Sequence, residues 1–327
     1  MKIDVVALGE TMIRLTPPGY NRIEQSHHLE MHVGGSESNT LIGLSRLGLS
    51  TVWLSRLNCN PLGQLVASSL RSHGVDTSHV VWTAEDRVGT YFMERGSEPR
   101  HSEVFYDRAD SAASRMQPKD LPVDLFEPAR AKLFHTTGIT LGISESARLT
   151  AVEAVNLARQ AGWKISFDTN HRVKLWSADR AAPCYREMMQ LADIAFLPIR
   201  DAKNVLGCRA DQNEEVVREL ACQFPNATIV LTAGEQGAFA VQPSGKPIHQ
   251  PAFRTALVER LGGGDAFTAG FLSAYVRDQS LETALCTGAA AAAVKYTIPG
   301  DLPLFDRRAV ERIAAGSGST SANDIAR

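Results

Sequence analysis

Residues 261–271 read Leu-Gly-Gly-Gly-Asp-Ala-Phe-Thr-Ala-Gly-Phe, which places a glycine run and one carboxylate where a helix is predicted to begin. Because Gly262, Gly263 and Gly264 have no Cβ, an anion could approach their N–H groups at the positive end of the helix dipole. A carboxylate at Asp265 would repel that anion. Its position is explained if Asp265 takes the proton from a hydroxyl group while that hydroxyl attacks a bound phosphoryl group. The stretch therefore predicts phosphoryl transfer with Asp265 as the base, although a glycine turn with Asp265 as a helix cap fits the same residues.

The composition is that of an ordinary globular chain. Its 327 residues are 44% hydrophobic and 21% charged, with a formal net charge of -2, so no basic excess indicates a nucleic-acid or membrane-surface partner. No apolar stretch is long enough to span a bilayer, and residues 3–9 are too short for a secretory signal, so we expect a cytoplasmic protein. Five scattered cysteines without metal-type spacing are expected to be buried reduced thiols.

Apolar runs alternate with helical patterns along most of the chain. Strands are predicted at 3–9, 51–55, 133–136, 164–168, 194–197 and 228–232, and helices at 39–47, 61–73, 144–161, 214–223 and 265–277. This alternation predicts an α/β fold with a largely parallel, Rossmann-like sheet flanked by helices. The predicted core comprises residues 1–10, 34–86 and 109–315.

Two stretches interrupt the alternation. Residues 11–33 and 87–108 show short alternating strands without helices between them, which predicts a small β-sheet outside the main layer. Inserted after the first strand, such a sheet would cover the carboxyl ends of the parallel strands as a lid. Its exposed edge and face predict a homo-oligomer that forms through the lid. Residues 316–327 are small and polar and are predicted to be a disordered tail.

A second glycine pattern precedes the first helix. Residues 34–39 read Gly-Gly-Ser-Glu-Ser-Asn: Gly34 and Gly35 would let a ligand approach the backbone, and Asn39 could hold a polyol. Alone, this pattern fits a turn equally well. Together with residues 261–271, it resembles the pair of signatures of the ribokinase-like, or PfkB, carbohydrate kinases. The resemblance extends from Val6 to about Phe305.

This resemblance implies a ribokinase-like fold, ATP and Mg²⁺ as cofactors, and a monovalent cation as a further possibility. It makes Asp265 the catalytic base and the Gly262, Gly263 and Gly264 amides the binding site of the transferring phosphoryl group. The residues that it implies for nucleotide binding are Thr232, Gly234, Gly237, Gly262 and Gly264. Residues 232–237 also fit a hairpin turn, and the two interpretations are compatible.

The sequence departs from the family pattern at three places. Gly263 stands where the family usually has alanine, and Glu259 where it usually has aspartate. Pro198 and Asp201 replace the N-x-x-E residues that organise water around magnesium, so only Asp201 remains as a candidate there. Magnesium dependence is still expected, because ATP phosphates need a cation to neutralise them.

Arginines indicate the class of substrate. Arg108 on the predicted lid and Arg172 after a buried strand suit a carboxylate, which guanidinium groups bind bidentately. Residues 168–172, of pattern D-x-N-x-R, and the later Leu-Trp-Ser at 175–177 resemble 2-keto-3-deoxygluconate kinases. Alternatively, Arg172 pairs with Asp168, and Arg108 pairs with Asp110. The predicted substrate-binding residues are Gly34, Gly35, Asn39, Tyr91, Tyr106, Arg108, Arg172 and Asp265.

The predicted function is therefore ATP-dependent phosphorylation of a small-molecule sugar acid, 2-keto-3-deoxygluconate, to its 6-phosphate. Two alternatives remain open at this point. One is a kinase of a neutral ketose or a nucleoside, and the other is a non-catalytic sugar sensor. Asp265 argues against the sensor, since binding alone requires no base there.

Overall fold

The computed structural model describes residues 2–316, so the predicted tail lies outside the described residues from position 317 onward. Fifteen strands are described: β1 Ile3–Leu8, β2 Met12–Thr16, β3 Glu30–Gly34, β4 Thr51–Leu54, β5 Arg56–Asn58, β6 Val75–Asp76, β7 Val81–Thr83, β8 Thr90–Glu94, β9 Glu103–Asp107, β10 Ala131–Thr137, β11 Lys164–Asp168, β12 Ile194–Pro198, β13 Thr228–Thr232, β14 Ala238–Val241 and β15 Ile248–Gln250. The α-helices are α1 Ser36–Arg46, α2 Pro61–Ser72, α3 Gly138–Ile143, α4 Glu145–Gln160, α5 Ala178–Leu191, α6 Ile199–Asn204, α7 Asn213–Gln223, α8 Gly263–Tyr275, α9 Leu281–Tyr296 and α10 Arg307–Ala314.

The main layer is a nine-stranded sheet in the order β15-β14-β13-β12-β11-β10-β1-β4-β6. The strands from β13 to β6 in this order pair in parallel, whereas β14 and β15 are antiparallel additions at one edge. Each of the six predicted strands is present in this sheet, with ends that differ by at most two residues. The α/β class with a largely parallel sheet is thus confirmed.

Helices cover both faces of this sheet, as the alternation of side chains in β1 shows. Val6 and Leu8 point to one face and join a core cluster with residues of α4 and α5. Val5 and Ala7 point to the other face and pack with residues of α1, α8 and α9. Because successive side chains of a strand point to opposite faces, a strand covered on both sides is apolar throughout.

The small sheet has the order β3-β2-β8-β9 and combines strands from the two interrupting stretches. Its register places Arg14 beside Tyr91 and Tyr91 beside Tyr106, in a row that faces the main sheet. The neighbouring row contains Leu15 and Phe92 with the more exposed Met31 and Phe105, and it forms the outer face. We call this sheet the lid. Its predicted boundaries as a separate domain stay a prediction.

Two local expectations were wrong or incomplete. Helices α3, α5, α6 and α10 were not predicted; in α5, Pro183 removes one hydrogen-bond donor and masks the helical pattern. All five cysteines are free, but only Cys208 is buried as predicted: Cys184 and Cys286 are half-buried, and Cys59 and Cys222 are exposed. In residues 2–316, no helix has both the length and the apolar character needed to cross a membrane.

Candidate active site

The predicted glycine run forms the N-terminus of α8. Gly262 caps the helix with a left-handed φ of 74°, and the helix begins at Gly263, two residues before the predicted start. A Cβ on Gly262 would overlap the carbonyl oxygen of Asp301, and one on Gly263 would overlap the Tyr296 ring. Gly264 has no atom within 4 Å of its Cβ position. Gly262 and Gly263 therefore allow neighbouring residues to pack closely. Gly264 instead leaves open space beside the first turn of α8, where the backbone N–H groups have no intrahelical acceptor.

Asp265 is held by two side chains from α1. Its Oδ1 accepts a hydrogen bond from Ser36 Oγ at 2.7 Å, and its Oδ2 accepts one from Asn39 Nδ2 at 2.8 Å. Burial raises the pKa of Asp265 above its ordinary value, while both hydrogen bonds act in the opposite direction. The carboxylate is therefore fixed in orientation and is a stronger base than an exposed aspartate.

The loop after β11 contacts the Asp265 carboxylate indirectly, through Ser36. Asn170, which has a φ of 35°, donates from Nδ2 to Ser36 Oγ at 2.6 Å, and Ser36 in turn donates to Asp265. The neighbouring Asp168 is buried, and this burial, with Asp265 and Asp201 nearby, raises its pKa well above the usual range. Residues 168–172 thus connect to the candidate base through Ser36, a connection that the sequence analysis missed.

Two cavities meet at the N-terminus of α8. The first, which we call the lid cavity, measures about 80 Å³ and lies between the lid and the main sheet. All eight predicted substrate-binding residues line it: Gly34, Gly35, Asn39, Tyr91, Tyr106, Arg108, Arg172 and Asp265. Leu261 and Gly262 also face this cavity, so Gly262 lies on the lid side of the helix terminus.

The second cavity, which we call the outer cavity, measures about 590 Å³. Its lining includes Thr232, Gly234, Gly237 and Gly264 from the predicted nucleotide-binding set, together with Gly263. The remaining lining combines apolar residues with three arginines: Phe253, Phe267, Ala289, Ala292, Ala293, Arg200, Arg254 and Arg260. The turn at Gly234–Gln236 joins β13 to the antiparallel β14, so the hairpin interpretation holds and the turn also lines a cavity.

The two arginines of the lid cavity differ in their partners. Arg108 forms an ion pair with Glu10 at the end of β1, not with Asp110, whose nearest cation is Arg115 at 3.7 Å. Arg172 has no ion pair within the described part of the chain, so its proposed pairing with Asp168 is also absent. Its guanidinium reaches only the carbonyl oxygens of residues 170 and 171, each at 3.5 Å. Arg172 is therefore the cation available to an anionic ligand in this cavity.

The two tyrosines are also not equivalent. The Tyr91 hydroxyl donates to Asp301 Oδ2, and Asp301 forms an ion pair with the fully buried Arg14 of β2. The Tyr106 ring lies 6.0 Å from the Tyr91 ring, and the Arg108 guanidinium lies 5.7 Å from the centre of the Tyr106 ring. Tyr91 thus joins the lid to residue 301, while the Tyr106 hydroxyl remains a candidate contact for a ligand.

The predicted metal residue has other partners. Asp201 Oδ2 accepts hydrogen bonds from Thr169 Oγ1 at 2.9 Å and from the His171 amide at 2.8 Å, and Oδ1 accepts one from Arg200 at 3.1 Å. Residues 2–316 contain no group of three or more His, Cys, Asp or Glu side chains arranged to hold a metal ion. A magnesium ion that arrives with ATP would be held chiefly by phosphate oxygens and water, with Asp201 as the candidate protein group. The role of Asp201 stays a prediction.

Comparison with known proteins identifies the family. Residues 2–303 match the model of the pfkB family carbohydrate kinases. The chain is 42% identical over 316 residues to a 2-dehydro-3-deoxygalactonokinase of Haloferax volcanii, covering 97% of this chain and 98% of that protein. It is 30% identical over 300 residues to a 5-dehydro-2-deoxygluconokinase of Lacticaseibacillus casei, covering 90% of this chain and 89% of that protein.

The fold also matches solved structures. The 2-dehydro-3-deoxygluconokinase of Thermotoga maritima superposes with a TM-score of 0.90 at 29% identity, covering 96% of this chain and 100% of that chain. A 2-keto-3-deoxygluconate kinase of Enterococcus faecalis, described as putative, gives a TM-score of 0.87 at 26% identity, covering 99% and 100%. The ribokinase-like fold predicted from the two signatures is thereby confirmed.

Proposed function

As a member of the pfkB family, the chain is a carbohydrate kinase, and we propose that it transfers the γ-phosphoryl group of ATP to 2-keto-3-deoxygluconate. The observation that carries this proposal is Arg172, a guanidinium without an acidic partner in the described chain, in the same cavity as the candidate base Asp265. A substrate carboxylate would supply the missing partner through charge-assisted hydrogen bonds. A neutral sugar would leave the Arg172 guanidinium without a directly bonded anion.

In the proposed reaction, the primary hydroxyl of the sugar acid approaches Asp265 in the lid cavity. The Asp265 carboxylate takes the hydroxyl proton while the oxygen attacks the γ-phosphorus, so the new O–P bond forms as the bond to ADP breaks. The hydrogen bonds from Ser36 and Asn39 keep the accepting carboxylate oriented. The product is the 6-phosphate, and the proton remains on Asp265 until it is released to water.

On the other side of the helix terminus, the outer cavity would hold ATP. Gly264 leaves the γ-phosphoryl group free to approach the first-turn amides of α8, where the helix dipole favours negative charge. The apolar lining would contact the base and ribose of the nucleotide. Magnesium carried with ATP would neutralise charge on the phosphate oxygens.

The similarity to the Haloferax volcanii protein favours a second candidate acceptor. Its name indicates the galacto epimer of the same 2-keto-3-deoxy acid, and it is more similar in sequence than the Thermotoga maritima kinase. The two acids share the carboxylate and the primary hydroxyl that Arg172 and Asp265 would bind. The proposal therefore covers this class of acid, with the gluco epimer as the predicted acceptor.

Direct measurement of ADP formation tests the proposal. The acceptors are the two 2-keto-3-deoxy acids, an aldonic acid, fructose, ribose and a nucleoside, each with ATP and magnesium. We expect kcat/KM to be highest for a 2-keto-3-deoxy acid. Equal efficiency with fructose or ribose would refute the sugar-acid assignment, and no turnover of any acceptor would favour a sugar sensor.

We also propose that the outer face of the lid joins two copies of the chain. Met31 is 54% exposed and Phe105 is 46% exposed, and they extend a row with Leu15 and Phe92 across all four lid strands. Packing this row against a second lid would remove its apolar surface from water. Light scattering should show a dimer or a larger oligomer that Phe105→Glu dissociates, whereas a wild-type monomer at micromolar concentration would refute the proposal.

A further inference from the structure

A buried lysine lies directly beneath the glycine turn. Lys295 is in the last turn of α9 and is 0% exposed. Its Cε lies 3.2 Å from the position that a Cβ on Gly262 would occupy. Its ammonium group donates to the Ile298 carbonyl oxygen at 3.0 Å. A charged side chain at such a place is costly to bury, so its retention needs an explanation.

Two carboxylates offset this cost. Glu259 precedes the glycine turn, Asp301 follows α9, and both stabilise the charged form of Lys295, although burial still lowers its pKa. The same carboxylates form ion pairs with the fully buried Arg14. Two buried cations and two buried carboxylates thus lie in the segments around this turn. Arg95, which is 3.6 Å from Glu259 and more exposed, adds a further positive charge at the rim.

The segments that carry these charges also shape the turn. The amides of Val258 and Glu259 donate to the Tyr296 carbonyl oxygen at 2.8 and 3.1 Å, which joins the residues before the turn to the end of α9. The Gly300 amide donates to Glu259 Oε2 at 3.1 Å. The charge cluster is therefore part of the support on which Gly262 rests.

We propose that Lys295 is a positioning residue that supplies a built-in cation beneath the phosphoryl-binding turn, so that the kinase needs no added monovalent cation. This inference rests on the proposed function, because it assigns the charge to stabilising a transferring phosphoryl group. Without the ammonium, Arg14 would be the remaining buried counter-charge of Glu259 and Asp301 among the described residues, because Arg95 lies at the rim. The negative charge buried beneath the turn would then oppose the phosphate and loosen the turn.

The first test compares cations on the wild-type enzyme. Turnover is measured in sodium, potassium and tetramethylammonium chloride at equal ionic strength, with ATP as its tetramethylammonium salt. ADP is quantified directly by chromatography, so that no coupling enzyme introduces its own cation dependence. We expect the same kcat in all three salts. A loss of activity when sodium and potassium are both absent would overturn the inference.

The second test removes the charge in two ways. Lys295→Met keeps most of the volume, and it should lower kcat by about 10- to 100-fold with little change in acceptor KM, because the charge acts on the phosphoryl group. Lys295→Ala also leaves space, and potassium or ammonium ions, but not tetramethylammonium, should restore part of its kcat. Lys164→Met is the matched control, since Lys164 is exposed, pairs with Asp193 and begins β11 at the opposite end of the sheet.

Three results would overturn the inference in this second test. One is a near-normal kcat for Lys295→Met, and another is a folded Lys295→Ala variant that no monovalent cation restores. The third is loss of the fold and of activity in step in both variants, which would make Lys295 merely structural. Failure of the proposed function is distinguishable, because the wild-type enzyme would then prefer another acceptor of the panel, and the same cation tests would be made with that acceptor.

Discussion

The two cavities on either side of the α8 N-terminus are built differently. The lid cavity is small, at about 80 Å³, and is lined by charged and hydroxyl side chains from the lid and the main sheet. The outer cavity is about 590 Å³; glycines, alanines and aromatic rings form most of its lining, and Arg200, Arg254 and Arg260 lie among them. We therefore expect side-chain charge to select the ligand of the lid cavity, whereas the outer cavity offers backbone amides and apolar surface together with these arginines.

Because the two cavities differ in this way, we expect the choice of acceptor and the rate of phosphoryl transfer to depend on different residues. Changes in the lid cavity should alter which acceptor is used, and changes at the glycine run should alter how fast the phosphoryl group is transferred. Asp265 belongs to both, since it lines the lid cavity and lies in the first turn of α8. The following variants test whether the two sides can be affected independently.

The largest effect is expected for Asp265→Asn. The variant keeps the shape of the side chain but cannot accept the proton, so kcat should fall by about two or more orders of magnitude while acceptor binding survives. Turnover and calorimetric binding of the acceptor are measured together. The exposed Asp179→Asn serves as the control. Near-normal turnover of Asp265→Asn would eliminate this residue as the base.

Adjacent glycines should respond differently to substitution. Gly264→Val adds carbon atoms to open space in the outer cavity, so kcat should fall by about 100-fold with little change in melting temperature. Gly263→Ala should instead lower the melting temperature, because its Cβ would overlap the Tyr296 ring. If Gly264→Val lost fold and activity in step, that glycine would be structural.

Specificity should depend chiefly on Arg172. Arg172→Ala should raise KM for the sugar acid by about 10- to 100-fold and leave KM for ATP unchanged, since one charge-assisted interaction is lost. Use of a neutral sugar should not change. The surface variant Arg218→Ala is the control. An unchanged sugar-acid KM would show that Arg172 does not bind the carboxylate.

Arg108→Ala should raise the same KM but also lower the melting temperature. Its removal leaves Glu10, with a side chain only 2% exposed, without its ion-pair partner. The variants of the two arginines therefore differ in stability even where their kinetic effects are similar. Equal melting temperatures for Arg108→Ala and the wild-type enzyme would contradict the importance of the Glu10 pair.

The smallest effect is expected for Ser36→Ala, and it is measured as a shift in the pH dependence of kcat. Asp265 must be ionised to act, so the rate falls as the pH drops through its pKa. The Ser36 hydrogen bond lowers this pKa, and its loss should move the acid limb to higher pH. Ser72→Ala, an exposed change in α2, should leave the profile unchanged. A shift to lower pH would contradict the assigned hydrogen bond.

Much of the fold was predictable from the sequence, because buried parallel strands are continuous apolar runs. The segments 164–168 and 228–232 have the same bounds in β11 and β13. Helix α5 was missed because Pro183 obscures its pattern, and α8 was predicted too late because glycines have weak helix propensity. Local sequence patterns thus predict the positions of strands more accurately than the ends of helices.

The site was predictable only where a motif carried the information. The glycine run and Asp265 are adjacent in sequence, so the motif identified them together. Contacts between distant segments, such as Arg108 with Glu10 and Asn170 with Ser36, depend on how the lid and the loops pack. Lys295 was not among the predicted site residues, and only the structure places it beneath Gly262.

Identification of the product shows whether the enzyme phosphorylates the primary hydroxyl of a sugar acid and whether Asp265 is needed. The enzyme is incubated with ATP, magnesium and 2-keto-3-deoxygluconate, and the product is examined by phosphorus and carbon NMR beside the Asp265→Asn variant. We expect a phosphate ester on the primary hydroxyl at C6 with the wild-type enzyme and at most a trace with the variant. A phosphate on another hydroxyl, no product from either 2-keto-3-deoxy acid, or equal product from the variant would contradict it.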